Sequence, residues 1–514
     1  MTTELAISKI DHLSTAQKRK LPGLLGSFLD TVAAATDRAT HYNTREEQKQ
    51  AILQLHKDIF SIDRGIYGLC LCLPGINDYS KQLGMGFFLD NPRSGEAILT
   101  PAQEGKLIRH LAGSVEPQRM IKAFLEFRKN RINNSRTRKL ILNCLLGNKN
   151  LKHWSVKYRY KIRQCLQHAW GQNVFKSVYK CLEAKHGKGV KKAWTEKQKT
   201  TLSKYVEPYT DADVTEPLAF ILGFENRIKS DPMKKYIKAK KNLAEGKGLP
   251  KEQLFYLRSR FHTSVGKDVV YELAKSGMTK RQKALVQKAT KKVGVKVEFN
   301  PHSLDAVRLY IYAYEMGMTD EIRAALKQKA KKSAEAMFSK HGHIGIIVDC
   351  SRSMMGDDTQ KNRPIAVSLA VRDMLKEASS SADVVHCGGA PRGGLVFPCG
   401  PTSLASALVS LLKYDPEIVY VLSDGYENAP AGRFSEVLKI VREMGINTPV
   451  VQVSPVVAAE KAGALRTLAP EVEAVPLSKP EGIGMRVLKS LLVTNLEEAI
   501  EGLARIALPQ LEDI

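Results

Sequence analysis

The chain has 514 residues, 43% hydrophobic and 26% charged, a balance that suits a soluble protein with room for several cored domains. No apolar run reaches the ~18 residues of a membrane span, and the opening MTTELAISKIDHLSTAQKRK lacks a signal-peptide core; a cytoplasmic protein with no membrane partner is expected. The net charge of +26 is divided unevenly: residues 346–514 carry 16 Lys and Arg against 21 Asp and Glu, which leaves 63 against 32, a net of +31, for residues 1–345. Such an excess is self-repulsive without a polyanion, most often a nucleic acid.

In chain order, the basic part reads as helix after helix by its 3.6-residue periodicity. The segments 45–60, 118–129, 136–147, 154–171, 172–187, 251–262, 266–277, 279–294 and 303–317 all carry the pattern, with short polar connections and no convincing alternating strand. Stacked antiparallel helix pairs would produce it, and so would a plain bundle, since no fixed repeat period stands out. Lys and Arg cluster at Arg128, Lys129, Arg131, Arg136, Arg138 and Lys139, and again at Lys157, Arg159, Lys161 and Arg163, interleaved with Trp154, Tyr158 and Tyr160. Further clusters fall at 234–241, around Tyr236, and at 280–292. Lysine and arginine supply salt-sensitive affinity for phosphates, and interleaved aromatic rings can stack unpaired bases. A nucleic-acid path is therefore placed at Arg128, Lys129, Arg131, Arg136, Arg138, Lys139, Lys157, Tyr158, Arg159, Lys161 and Arg163.

Near residue 342 the pattern changes. Apolar β-branched runs at 343–349, 382–387, 394–397, 417–424 and 448–455 alternate with helical segments at 364–378, 403–414, 434–445 and 484–506. Near-continuous apolar strands alternating with helices indicate a parallel sheet covered on both faces, a doubly wound α/β domain. The eight cysteines lie mostly inside apolar segments, with one C-x-C and no zinc-ribbon pair, which is the usage of core residues in a reducing compartment. No phosphate-binding G-x-x-x-x-G-K-[ST] occurs, so an ATPase of that class is excluded.

Ligands of such sheets bind beyond the carboxyl ends of the strands, and three oxygen-bearing segments fall there. The first strand delivers Asp349, Ser351 and Ser353 (DCSRS); CGPTSL presents Thr402 before a helix; LSDGYEN ends the next core strand at Asp424. Singly these are ordinary: Asp-Gly is a turn and Thr402 a helix cap. Together they form a set of hard donors with two carboxylates, suited to a partly hydrated Mg²⁺, with Mn²⁺ the alternative.

D-x-S-x-S, then Thr, then Asp at strand ends resembles the metal-ion-dependent adhesion site (MIDAS) of von Willebrand factor A domains. That likeness implies that Ser351, Ser353 and Thr402 touch the metal, with Asp349 and Asp424 direct or through water; Arg352 replaces the glycine frequent between the serines. An A domain after some 340 basic helical residues is similar to the Ro autoantigen family and its bacterial relatives, whose N-terminal TROVE domain is a ring of HEAT-like repeats. The resemblance implies a mixed fold: an all-α HEAT-like helical-repeat ring over 1–342 and an α/β A-like domain over 343–514. It also implies an RNA-binding protein of a cytoplasmic ribonucleoprotein; no nucleophile-plus-base constellation appears, so no turnover is expected, and the chain is expected to be a monomer. Such a protein takes small non-coding (Y-like) RNA and the single-stranded 3′ ends of misfolded RNA, and presents RNA to an exoribonuclease. For 1–345 the likeness is one of helical content and charge. The alternative is a metal-dependent adaptor that docks an acidic residue of an ATPase partner.

Overall fold

The structure, a computed structural model, describes residues 10–34, 44–73, 75–187, 194–206, 212–335, 341–356, 361–455, 466–477, 480, 492 and 495–512. The chain packs as two compact units, one of Met1–Gly84, Ser94–His110 and Asn300–Ile514, the other of Met85–Arg93 and Leu111–Phe299. From Thr15 to Glu335 every regular element longer than a single turn among the described residues is an α-helix.

In the second unit local chemistry sets the helix ends. Helix Pro117–Lys129 starts with proline at its first position, where no amide is needed, and stops at Asn130. There Ile132 N donates to Phe127 O at 2.9 Å and Arg131 N to Arg128 O at 3.2 Å, the paired bonds of a Schellman stop. Asn134 caps helix Ser135–Leu146, accepting from Thr137 N at 3.0 Å, while its amide donates to Leu89 O at 2.6 Å. The periodic segments 154–171 and 172–187 emerge as helices Leu151–Lys157 and Arg159–His186, the longer one broken at Gly171, whose φ of 71° is open to glycine at little cost. Helix Arg159–His186 packs with helices Pro117–Lys129, Ser135–Leu146 and Ala212–Leu222, and helix Leu151–Lys157 with Ala212–Leu222, in a region whose buried apolar residues include Phe124, Ile141, Leu166 and Phe220.

In the first unit the strands are β1 (His341–Asp349), β2 (Ser379–Cys387), β3 (Ala390–Arg392), β4 (Leu395–Phe397), β5 (Ile418–Leu422), β6 (Val450–Ser454) and β7 (Glu473–Pro476). A five-stranded sheet runs β2-β1-β5-β6-β7 with every pairing parallel, and β3 and β4 form a separate antiparallel hairpin. All five residues of β5 and of β6 are buried, so both faces are covered, as the apolar runs imply. Ile347, Val419 and Val421 share a core with Leu404, Leu408 and Leu411 of the helix after Thr402 and with Phe434 and Leu438 of helix Arg433–Glu443. Helix Arg363–Glu377 lies on β1 and β2, and helices Ala306–Met316 and Asp320–Glu335 pack on it in turn. The expected fold class is thus observed: a mostly helical N-terminal region and a parallel sheet flanked by helices. The start of β1 at His341 coincides with the change near 342, while the packing unit reaches back to Asn300. Strands β3 and β7 were not foreseen, and of the expected helix 484–506 only residues 492 and 495–506 lie within the described residues.

The strand order places a switch point between β1 and β5. From β1 the chain crosses to β2 on one side and later to β5 on the other, opening a crevice past the carboxyl ends of both.

Candidate metal centre and basic surface

Asp349 ends β1 inside that crevice and is wholly buried. The pairing of Val348 with Leu422 brings it level with Ser423, whose hydroxyl donates to Asp349 Oδ2 at 2.7 Å. Ser351 N donates to Oδ1 at 2.9 Å, which folds the chain back over the carboxylate and sets Ser351 Oγ 3.1 Å from Ser353 Oγ. Asp424 follows β5, takes a hydrogen bond from the Ser353 hydroxyl, and accepts from Tyr426 N at 3.1 Å. Loops one and three therefore meet at the serines.

The second loop is tied to both. Arg352 N donates to Gly400 O at 3.1 Å and Cys399 N to Cys350 O at 3.0 Å. Thr402, 1% exposed, donates its amide to Asn428 Oδ1 at 2.8 Å, and its carbonyl accepts from Asn428 N and Ala429 N at 3.3 and 3.1 Å. Backbone closeness requires glycine at Gly425, with φ 85°, where a Cβ would sit 2.7 Å from Arg466 O. All five expected metal-site residues are thus held in three mutually bonded loops.

Burial pushes the Asp349 carboxyl up to about 6, with the neighbouring charge of Asp424 adding to the rise and the bonds from Ser351 and Ser423 opposing it. Burial likewise raises Asp424, against the pull of Ser353 and of Arg466, whose guanidinium stacks 3.6 Å from the Tyr426 ring centroid. A buried and a half-buried carboxylate that repel each other, beside two buried hydroxyls and one exposed hydroxyl, Ser353, form a pocket of hard donors. That donor set fits a small divalent cation bound partly by water. Among the described residues no three His, Cys, Asp or Glu side chains gather as a metal-binding group.

The basic residues of the second unit fall into two sets. Arg128, Lys129, Arg131, Arg136, Arg138 and Lys139 are all exposed, at the end of one helix and the start of the next. Lys161 is exposed as well, Lys157, Tyr158 and Arg163 are half-buried, and Tyr160 is 67% exposed. Arg159 is different: it pairs with Glu225 at 2.9 Å, stacks 4.0 Å over the Phe220 ring, and its side chain is 12% exposed. It is held in a structural ion pair, unlike its exposed basic neighbours. Trp154 and Tyr236, read as stacking candidates, are core residues at 6% and 5% exposure.

Arg131 occupies the left-handed C′ slot of the Schellman stop, with φ 59°, where glycine is the unstrained choice. An exposed arginine kept there gives up backbone stability for charge. Arg131→Gly is expected to stabilise the protein by about 0.5–1 kcal/mol in urea denaturation. A loss of stability would show that the side chain serves the fold.

No protein-family model and no curated protein matches the chain. Among solved structures, it is similar to the Ro (RSR) protein of Deinococcus radiodurans, at 13% identity and a TM-score of 0.43, over 93% of this chain and 99% of that one. A likeness at that level says nothing about the sites of this chain, whose properties follow from its own residues.

Two features escaped the reading of motifs. Ser423 is fully buried against Asp349, a contact visible only once β1 and β5 are in register. The other was countable: from Phe127 to Leu182, 56 residues, the chain has 14 Lys and Arg and not one Asp or Glu. Within helices Ser135–Leu146 and Leu151–Lys157 no acid of their own is present to neutralise the charge, and helix Arg159–His186 has none before Glu183.

Proposed function

We propose that this chain is a non-catalytic RNA-binding protein whose basic helical unit takes structured RNA with a single-stranded 3′ end, and whose crevice holds a divalent cation. The observation that carries the RNA reading is the acid-free tract 127–182, with six exposed basic residues concentrated between Arg128 and Lys139. A solvated helix face would mix signs, whereas a phosphate track gains from excluding acids. Small non-coding (Y-like) and misfolded RNAs are the substrates proposed, with transfer to an exoribonuclease, in the cytoplasm. Asp349, Ser351, Ser353, Thr402 and Asp424 would hold Mg²⁺, or Mn²⁺. The bound cation would supply an open position for an acidic oxygen of a partner, which the exposure of Arg352 and Ser353 at the mouth favours. This last feature also supports a second reading, an adaptor that docks an acidic side chain of an ATPase; the charge of the helical unit is what that reading leaves unused.

The test is binding of an RNA hairpin with a ~10-nucleotide 3′ tail across a salt series. About five phosphate contacts predict that log K falls with log salt at a slope near −3.5. A flat response, or no binding near 0.15 M salt, overturns the RNA reading and leaves the adaptor.

A further inference from the structure

Helices Ala405–Leu412 and Arg433–Glu443 follow Thr402 and Asp424, respectively, and neither is capped by a side chain of its own first turn. The residues at their cap positions, Leu404 and Gly432, have no suitable oxygen, and helix starts left without acceptors are costly. One carboxylate serves both. Glu427 Oε1 accepts from Leu404 N at 3.1 Å and Ala405 N at 3.3 Å, and Glu427 Oε2 accepts from Phe434 N at 2.6 Å. A negative charge between two helix N-termini is favoured by both dipoles.

We infer that Glu427 is the positioning residue of the candidate metal centre: it fastens the Thr402 loop to the Asp424 loop at a fixed spacing. The inference rests on the metal reading above. Its geometry is specific. Asp424 lies three residues before Glu427, Thr402 two residues before Leu404, and the next residue, Asn428, grips the Thr402 amide and is gripped by its carbonyl. Segment 427–429 therefore holds Thr402 from the side of the helix and from the side of the loop. Both carboxylate oxygens are needed, since every partner is an N–H donor. Glutamine offers one acceptor and turns an amide NH₂ toward a donor; aspartate is one methylene too short to span both helices.

The experiment compares Mg²⁺ and Mn²⁺ binding to the full chain by calorimetry for the wild type, Glu427→Gln and Asp305→Ala. Asp305 caps helix Ala306–Met316, accepting from Arg308 N at 2.8 Å, so its loss supplies a matched cap deletion far from the crevice in sequence. Glu427→Gln is expected to weaken divalent-ion affinity about 10-fold, the lower range seen when groups that orient metal ligands are removed. Asp305→Ala should lower thermal stability similarly and leave affinity unchanged. Equal affinity of the wild type and a folded Glu427→Gln overturns the inference. An equal fall in Asp305→Ala overturns it too, by reducing the effect to general destabilisation. Absence of binding by the wild type instead overturns the metal reading itself. Should Glu427→Gln fail to fold, Asn428→Ala, which removes only the grip on the Thr402 amide, provides the same comparison.

Discussion

Converting Arg128, Lys129, Arg131, Arg136, Arg138 and Lys139 together to serine is expected to lower affinity for the 3′-tailed hairpin at least about 100-fold near 0.15 M salt. The same change should remove most of the expected slope of about 3.5, at roughly 0.7 per phosphate contact on a single strand. The fold should hardly notice. All six side chains are exposed, and Arg136 and Arg138 sit in the first turn of helix Ser135–Leu146, where positive charge opposes the helix dipole. Arg159→Gln serves as the converse. It leaves Glu225 with Lys240, at 2.6 Å, as its remaining partner and uncovers the Phe220 ring, so stability should fall while the salt slope stays. If the sixfold variant kept its affinity and slope, the RNA would have to run elsewhere in the basic unit.

Asp349→Asn is expected to move stability in opposite directions with and without divalent ions. In EDTA the wild-type carboxylate is buried beside Asp424 and holds its proton more tightly than usual, to about 6. At pH 7 that strain is on the order of 2–3 kcal/mol, by the ~1.4 kcal/mol per pKa unit conversion. Asparagine keeps an oxygen for Ser351 N, and its amide can donate to Ser423 Oγ, which rotates to accept; both observed bonds are conserved in number. A gain of about 1–2 kcal/mol in EDTA follows once imperfect geometry is discounted. In Mg²⁺ the order should reverse, because a cation that binds only the folded state stabilises by RT ln(1 + [L]/Kd), and the variant forfeits this. Thermal melts of both proteins in EDTA and in 10 mM Mg²⁺ check both signs. A variant that is less stable in EDTA as well would mean that Asp349 is a structural hydrogen-bond acceptor. RNA affinity should be untouched, since the two sites belong to different units.

How much of this was legible beforehand varies with the range of the interaction involved. Helix periodicity is local, and the segments 118–129, 136–147 and 279–294 lie within two residues at either end of helices Pro117–Lys129, Ser135–Leu146 and Lys280–Lys292. The D-x-S-x-S turn is local too, and its Thr402 and Asp424 partners could be joined to it because strand ends in a parallel sheet lie on one edge. Strand β7, only four residues long, has too little pattern to betray itself, and β3 is a three-residue exposed hairpin arm. Arg159 could not be separated from its basic neighbours because the acid that claims it, Glu225, lies 66 residues away. Glu427 was passed over for the same reason: its partners are main-chain amides, which no sequence motif displays.

The acid-free stretch from Phe127 to Leu182 has one more effect, on the unbound protein. Fourteen like charges in 56 residues repel one another through solvent, and added salt damps that repulsion. Ionic strength thus works against the complex and for the empty protein. The melting temperature of the free chain should climb across the same range of salt in which the proposed RNA complex comes apart, RNA and simple electrolyte then acting as interchangeable counterions for one helical scaffold.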